Sequence, residues 1–111
     1  MQTSEREVET YVCPDGSCPF NEWLASLQDG QARARIRTRI NRVRVGNLGD
    51  CKPVGGGVLE LRIDYGPGYR VYFGQAGTEL VILLYGGDKN SQSEDIRQAM
   101  EYWENYKSRS R

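Results

Sequence analysis

A strand–turn–strand pattern in the middle of the chain constrains the fold more than any other feature. Apolar and polar residues alternate over 59–65 and again over 69–73, and Gly66-Pro67-Gly68 lies between the two runs. Such alternation is typical of half-buried strands, and glycine and proline favour a turn. We therefore predict an antiparallel hairpin with one apolar face and one polar face.

The polar face of this hairpin holds the first candidate site. A turn centred on Pro67 places Asp64 opposite Arg70, and Arg62 opposite Tyr72. Guanidinium groups match phosphate oxygens, and a phenol can stack on a base or move a proton. The same residues are also typical of a cross-strand ion pair that only stabilises the sheet. Spacing alone leaves both interpretations open.

The remaining segments predict a single α+β domain. The chain has 111 residues, a length typical of one domain, and we expect flexible ends at 1–7 and 108–111. The predicted order is strand, helix, helix, three strands and a final helix, with four strands in one antiparallel or mixed sheet. Outside the hairpin, the predicted elements are a strand at 8–13, a helix capped by Ser17, a helix over 31–45, a central strand over 79–86 that is buried on both faces, and a last helix that begins with a capping box at Ser91-Gln92-Ser93-Glu94.

The predicted helix over 31–45 contains six arginines and no acidic residue. Arg35, Arg39 and Arg42 lie near one flank, and like charges four residues apart repel one another. This pattern favours a polyanion partner or an acidic protein partner. A solvated face, whose arginine stems cover the edge of the core, is the alternative. The buried stripe of this helix is predicted to be Ala32, Ile36, Ile40 and Val43.

The charge of the chain is zero overall but uneven along its length. There are 15 basic and 15 acidic residues in total. Residues 1–32 contain one base and six acids, whereas residues 33–70 contain nine bases and three acids. The average therefore conceals a basic middle segment, which is typical of a local anion-binding surface.

The chain has no histidine and three cysteines, at positions 13, 18 and 51. Histidine is the commonest metal ligand and the commonest general acid or base. Three cysteines without histidine do not readily complete a zinc site or form an activated thiolate. We therefore expect no metal, no cofactor and no cysteine nucleophile.

The segment Gly86-Gly87-Asp88-Lys89-Asn90 is predicted to be a loop between the buried strand and the last helix. Backbone N–H groups and the helix dipole favour anions at such a place, and Lys89 adds a positive charge. The glycines match neither a phosphate loop nor a dinucleotide fingerprint. A tight turn followed by a helix cap explains the same residues equally well.

The sequence predicts a cytoplasmic protein. No apolar run approaches the roughly 20 residues that a membrane-spanning helix needs. Residues 1–7 also lack the basic-then-apolar pattern of a signal peptide.

Residues 57–106 resemble the RelE/ParE superfamily of bacterial toxins, and most closely its HigB-like branch, often called addiction-module killer proteins. The resemblance extends over about residues 8–107. It rests on the hairpin from Leu59 to Phe73, on Leu83-Leu84-Tyr85-Gly86-Gly87-Asp88-Lys89, on Ser91-Gln92-Ser93-Glu94-Asp95-Ile96, on Phe20-Asn21-Glu22-Trp23-Leu24 and on the arginine-rich helix.

This resemblance implies the toxin of a type II toxin–antitoxin pair. The usual family activity is metal-independent cleavage of mRNA in the ribosomal A site, in which the RNA 2′-hydroxyl attacks the adjacent phosphate. Positioning and charge stabilisation supply most of such catalysis. The implied partners are a cognate antitoxin with a helix-turn-helix fold, the ribosome and mRNA, and operator DNA through the antitoxin only, without a membrane.

The resemblance also implies roles for individual residues. Arg70 matches the family arginine that holds the scissile phosphate. Arg62 lies near a basic second-strand position of the family, and Lys89 matches a basic or polar position in the loop after the last strand. Asp88 corresponds to an acid that some HigB-like toxins use. The predicted catalytic residues are Arg70, Arg62 and Lys89, and the predicted RNA-binding residues are Tyr72, Asp88, Arg35, Arg39 and Arg42.

Two positions differ from the pattern of some family members. Glu60 stands at a second-strand position that is basic in those members, and Asp95-Ile96 replaces a catalytic tyrosine near the start of the last helix. Two alternatives to RNA cleavage therefore stay open. One is a non-enzymatic inhibitor of DNA gyrase, as in the ParE branch, and the other is an inactive toxin-like domain that only binds its antitoxin.

Overall fold

The computed structural model describes residues 5–109, and five strands form one mixed sheet. In chain order the elements are β1 (Glu7–Thr10), α1 (Pro19–Ser26), α2 (Gly30–Arg44), β2 (Cys51–Gly55), β3 (Val58–Ile63), β4 (Tyr69–Ala76), β5 (Leu80–Asp88), a 3₁₀ helix (Lys89–Ser91) and α3 (Gln92–Arg109). The sheet order is β1-β5-β4-β3-β2. Strand β1 runs parallel to β5, and the other neighbours are antiparallel.

Helices cover both faces of this sheet. Helices α1 and α2 pack on one face, and α3 packs on the other through Ala99 and Trp103. The predicted stripe of α2 is confirmed, since Ala32, Ile36, Ile40 and Val43 are all buried. The prediction of a central strand that is buried on both faces is also confirmed, because β5 lies inside the sheet and residues 81–84 are buried.

The α+β class is confirmed, but the predicted count of four strands is wrong. The additional strand is β2, which pairs with β3 at the edge of the sheet. Its sequence contains Pro53 and ends in glycines, so it shows no apolar–polar alternation. An edge strand tolerates proline because one side of its backbone needs no ladder hydrogen bond.

The predicted hairpin exists, but its predicted register is wrong. Arg62 pairs with Arg70, and Glu60 pairs with Tyr72, so the turn is centred on Gly66 rather than Pro67. Two glycines with positive φ, at positions 66 and 68, allow a longer connection than the predicted turn. Asp64 leaves the strand and is exposed, and the predicted Asp64–Arg70 pairing does not form.

The predicted loop over 86–90 is also wrong, because β5 continues to Asp88. Neither Gly86 nor Gly87 has a positive φ. A Cβ at Gly86 would overlap the Trp23 ring of α1, and a Cβ at Gly87 would overlap the Asp95 carboxylate of α3. These glycines therefore admit close packing on the two faces of the strand instead of reversing the chain.

Two predicted helix caps differ as well. The capping box precedes α3 by one turn, since Asp88 and Ser91 cap the 3₁₀ helix. The N-cap of α1 is Cys18 rather than Ser17, and its side chain makes no cap hydrogen bond. Ser17 is instead held by Asp15.

The predicted flexible ends lie partly outside the described residues, namely at 1–4 and 110–111. Within residues 5–109, β1 begins at Glu7 and α3 continues to Arg109. In this part of the chain no helix is long and apolar enough to cross a membrane.

Candidate functional site

A buried carboxylate organises the polar side chains on the α3 face of the sheet. Glu60 is fully buried, and its Oε1 atom accepts hydrogen bonds from Arg62 Nε at 3.0 Å and from Arg70 Nη1 at 3.3 Å. Its Oε2 atom accepts a third hydrogen bond, from Gln92 Nε2 of α3 at 2.9 Å. We call Glu60, Arg62, Arg70, Tyr72 and Gln92 the Glu60 cluster.

The register of the hairpin explains why these side chains meet. Arg62 lies directly opposite Arg70, and Glu60 lies directly opposite Tyr72 on the same face. Side chains two residues apart on a strand share a face, so Glu60 and Arg62 are neighbours along β3. Two adjacent guanidinium groups would repel each other strongly without the carboxylate between them.

The environment keeps Glu60 ionised. Burial raises the pKa of its carboxyl, but the hydrogen bonds from Gln92 and Arg62 and the charge of Arg70 outweigh burial and lower the pKa below its usual value. Two cations therefore face one anion, and the Glu60 cluster keeps a net positive charge.

Arg62 and Arg70 differ in accessibility. The Arg62 side chain is 36% exposed, whereas the Arg70 side chain is 10% exposed. An anion approaching the cluster therefore meets Arg62 first. Arg70 can bind such an anion only if its guanidinium is shared with, or transferred from, Glu60.

Tyr72 contributes a hydroxyl rather than an exposed ring. Its side chain is fully buried, and its hydroxyl has no hydrogen bond of normal geometry with the described residues. Burial, followed by the negative charge of the adjacent Glu60, raises the pKa of Tyr72 far above its usual value. The phenol therefore stays protonated, so it can donate a hydrogen bond but cannot act as a base near neutral pH.

Asp88 is the last residue of β5 and pairs with Tyr69 at the start of β4, and Lys89 follows it. The Asp88 carboxylate accepts a hydrogen bond from the backbone N–H of Asn90 at 2.8 Å, so it has a capping role. Lys89 is exposed and lies against the 66–68 turn, where a Cβ at Gly68 would be 3.6 Å from the Lys89 Cβ. Its ammonium group adds positive charge at the hairpin end of the sheet.

A second buried carboxylate, Asp95, lies beside the Glu60 cluster. It packs against Gly87 and accepts a hydrogen bond from the Ser91 hydroxyl at 2.5 Å. Burial raises the pKa of Asp95 and outweighs the opposite effect of the Ser91 hydrogen bond. The charge of Asp95 also contributes to the raised pKa of Tyr72.

Three predicted RNA-binding arginines lie on the opposite face of the sheet from the Glu60 cluster. Arg39 donates to the carbonyl oxygens of Leu48, at 2.9 Å, and of Asp50, at 3.3 Å, as well as to that of Arg62. Arg35 lies over the Tyr65 ring at 4.6 Å, and Arg42 is exposed. These arginines border a depression of about 390 Å³, which we call the α2 groove. It is lined by Gln31, Ala34, Arg35, Thr38, Arg39, Arg42, Ile63 and Asp64.

No role for Glu60, Gln92 or Asp95 was predicted from the sequence. The alternation over residues 59–65 placed Glu60 on the same face as Arg62, and this was the sequence feature from which an ion pair between them could have been predicted. Gln92 comes from α3, 32 residues further along the chain, and no local pattern links it to Glu60. The Asp95 carboxylate fills the space beside Gly87, and this contact exists only once α3 packs against β5.

The chain is thus a small α+β protein in which helices cover both faces of a mixed sheet and a buried glutamate joins two arginines. No known family model matches the chain. The chain is 52% identical over 80 residues to an uncharacterized protein of Haemophilus influenzae. The matched region covers 72% of this chain and 81% of that protein. The chain therefore belongs to the family of this Haemophilus influenzae protein.

Proposed function

We propose that the chain is the toxin of a type II toxin–antitoxin pair, in the HigB-like branch of the RelE/ParE superfamily, and that it stops translation by cleaving mRNA on the ribosome. The observation behind the proposal is the direct pairing of Arg62 with Arg70 beside the hairpin turn. The helical hairpin α1–α2, the antiparallel meander β3–β5 and the final helix support it, because they follow in the predicted order apart from the additional edge strand β2.

In this reaction the RNA 2′-oxygen forms a bond to the adjacent phosphorus, and the bond from phosphorus to the 5′-oxygen breaks. The 2′-hydroxyl loses its proton, and the departing 5′-oxygen gains one. Arg62 binds a non-bridging phosphate oxygen first, because it is the more exposed guanidinium. Arg70 then stabilises the charge that develops on the phosphate, while Glu60 keeps both guanidinium groups aligned.

Lys89 and Tyr72 have supporting roles in the proposal. Lys89 adds positive charge at the rim, where the RNA backbone approaches. Tyr72 stays protonated, so its buried hydroxyl is available as a hydrogen-bond donor to a phosphate oxygen that enters the cluster. The proposed partners are the ribosome with its mRNA and a cognate helix-turn-helix antitoxin, which also links the toxin to operator DNA. Such a toxin would act in the cytoplasm.

One observation favours a second candidate function, a ParE-like inhibitor of DNA gyrase that performs no chemistry. Both oxygens of Glu60 already accept hydrogen bonds, and Arg70 is largely buried against them. In this candidate, the Arg70–Glu60 pair stabilises the sheet and a protein-binding surface poisons the enzyme. An inactive domain that only binds its antitoxin would use the same structural pair.

The test is pulse labelling after induction without antitoxin, with amino-acid and thymidine incorporation followed in one culture. Early arrest of amino-acid incorporation supports mRNA cleavage, and early arrest of thymidine incorporation supports gyrase inhibition. No arrest of either would favour the domain that only binds its antitoxin.

Variants connect this result to the cluster. Arg62→Ala removes the exposed guanidinium and leaves the Arg70–Glu60 pair in place, so we expect a folded protein that no longer stops protein synthesis. Arg97→Ala is the matched control, since Arg97 is an exposed arginine of α3 that pairs with Glu94 on the surface. Full arrest by Arg62→Ala would overturn the proposed role of the arginine pair.

A further inference from the structure

We infer that the α2 groove binds an acidic polypeptide segment of a partner protein. Arg35, Arg39 and Arg42 follow one another at spacings of four and three residues, so they form one stripe along α2. Ala34 is exposed and adds apolar surface to the groove beside this stripe, whereas Ile63 lines the groove but is largely buried. The combination fits a segment that presents carboxylates next to an apolar side chain.

Two of the three guanidinium groups are already held in position. Arg39 is fixed by carbonyl oxygens, including those of Leu48 and Asp50. Arg35 lies on the Tyr65 ring, and the Tyr65 hydroxyl donates a hydrogen bond to Asp29 at 2.9 Å. Preorganised side chains lose less conformational entropy on binding, which favours a groove that is ready to accept a ligand.

The charges of the arginine stripe lack ionic partners within the described residues. No ion pair among residues 5–109 includes Arg35, Arg39 or Arg42. Helix α2 itself contains no acidic residue. Asp64 is the one carboxylate among the residues that line the groove, so three guanidinium groups face a single acid. A partner protein with Asp or Glu at helical spacing would supply the remaining complementary charge.

The shape and position of the groove favour a polypeptide over RNA. Its volume of about 390 Å³ suits a few side chains, and the exposed Ala34 offers them apolar contact. Asp64 lines the groove as well, and a peptide can place an uncharged residue beside its carboxylate, whereas a continuous phosphate backbone cannot avoid it. The groove and the Glu60 cluster also lie on opposite faces of the sheet, so an RNA strand in the cluster would have to pass around the sheet to reach it.

The biological role of this partner rests on the proposed function, whereas binding of an acidic segment to the α2 groove does not. A segment in the α2 groove would leave the Glu60 cluster uncovered. Binding can be measured with purified protein, so failure of the docking inference and failure of the proposed toxin activity are separate results.

The probe is a fluorescein-labelled helical peptide with leucine on one face and glutamate on both flanks, measured by fluorescence anisotropy. The groove variant is Arg35→Glu/Arg42→Glu, which leaves Arg39 and its carbonyl hydrogen bonds intact. The matched control is Arg37→Glu/Arg44→Glu, on the same helix, because Arg37 and Arg44 are exposed and do not line the groove. Both variants change the net charge equally, and circular dichroism verifies that each is folded.

We expect the groove variant to weaken peptide binding by about tenfold or more and the control to weaken it by less than about threefold. A counterpart peptide with glutamine in place of glutamate should bind the unmodified chain at least about tenfold more weakly. Equal losses in both variants would overturn the inference, because they would indicate diffuse electrostatic attraction. Absence of peptide binding would also overturn the inference. So would binding of a single-stranded RNA oligonucleotide that requires Arg35 and Arg42, if binding of the peptide does not require them.

Discussion

Glu60 shows how one buried charge can determine the geometry of a site. A carboxylate that is removed from water is tolerated only with hydrogen-bonding partners, and removing one partner of a buried pair typically costs about 3–5 kcal/mol. The donors to Glu60 come from β3, β4 and α3. One side chain therefore connects three elements and keeps Arg62 and Arg70 side by side.

Asp95 allows a test of pH-dependent stability at the same scale. Its folded-state pKa is raised, mainly by burial, so the folded state disfavours the ionised form. Asp95→Asn removes this cost and should raise the free energy of unfolding at neutral pH by on the order of 1 kcal/mol. The advantage should shrink as pH falls through the folded-state pKa and disappear below the unfolded value, where Asp95 is protonated in both states.

Thermal unfolding of both proteins between about pH 3 and pH 8 measures this difference. Asp15→Asn is the matched control, and its effect on the free energy of unfolding at neutral pH should have the opposite sign. The backbone N–H and hydroxyl of Ser17 lower the pKa of the exposed Asp15, so its ionised form stabilises the fold above the unfolded pKa and the benefit is lost as pH falls. An Asp95→Asn advantage that persists at the lowest pH would contradict the burial explanation.

Strand β5 is the element on which both helical layers converge. Trp23 of α1 approaches it at Gly86, and Asp95 of α3 approaches it at Gly87 on the other face. The absence of side chains at these positions brings both helices close to the strand that precedes the 3₁₀ helix. The close approach of α3 to the sheet, beside the Glu60 cluster, therefore depends on Gly87, and that of α1 depends on Gly86.

Gly86→Ala should destabilise the fold by about 3 kcal/mol, because the new methyl group would overlap the Trp23 ring. Gly30→Ala is the control, since its Cβ would meet Arg33 at an ordinary 3.5 Å at the start of α2. That change should be neutral or stabilising by up to about 1 kcal/mol. Urea unfolding measures both effects, and equal stability of Gly86→Ala and the unmodified chain would refute the packing argument.

The whole molecule presents two basic surfaces, separated by the sheet. The Glu60 cluster lies on the α3 face, and the α2 groove lies on the other face. The unequal distribution of charge in the sequence predicted a basic middle segment, and the fold divides this segment between the two faces. A protein with zero net charge can thus present two separate positive surfaces, one to the proposed RNA substrate and the other to the proposed acidic partner.

The arrangement of the sheet also predicts how stability varies across the molecule. Strands β4 and β5 lie inside the sheet, whereas β1 and β2 are its edges. In amide hydrogen exchange, residues 71–74 and 81–84 should therefore exchange most slowly, and β2 should exchange much faster because it is short, partly exposed and contains Pro53. Protection of β2 equal to that of β5 would contradict this order.

Local periodicity was sufficient to predict several elements and part of the site. The buried face of α2 follows from a repeat of 3.6 residues, and the existence of the hairpin follows from alternation around a glycine–proline turn. The same alternation brought Arg62, Arg70 and Tyr72 to one face. These features depend on neighbours that are close in sequence, so they can be inferred before the tertiary structure is known.

The sequence by itself determined the α+β class, the arginine stripe of α2 and the identity of the cationic side chains on the hairpin. Only the tertiary structure decided the register that pairs Arg62 with Arg70, the edge strand β2, the extension of β5 through Gly86 and Gly87, and the contact between Gln92 and Glu60. The reason is that periodicity reports which face of one element is buried, whereas register, close approach and the pairing of buried charges depend on which distant element packs against that face.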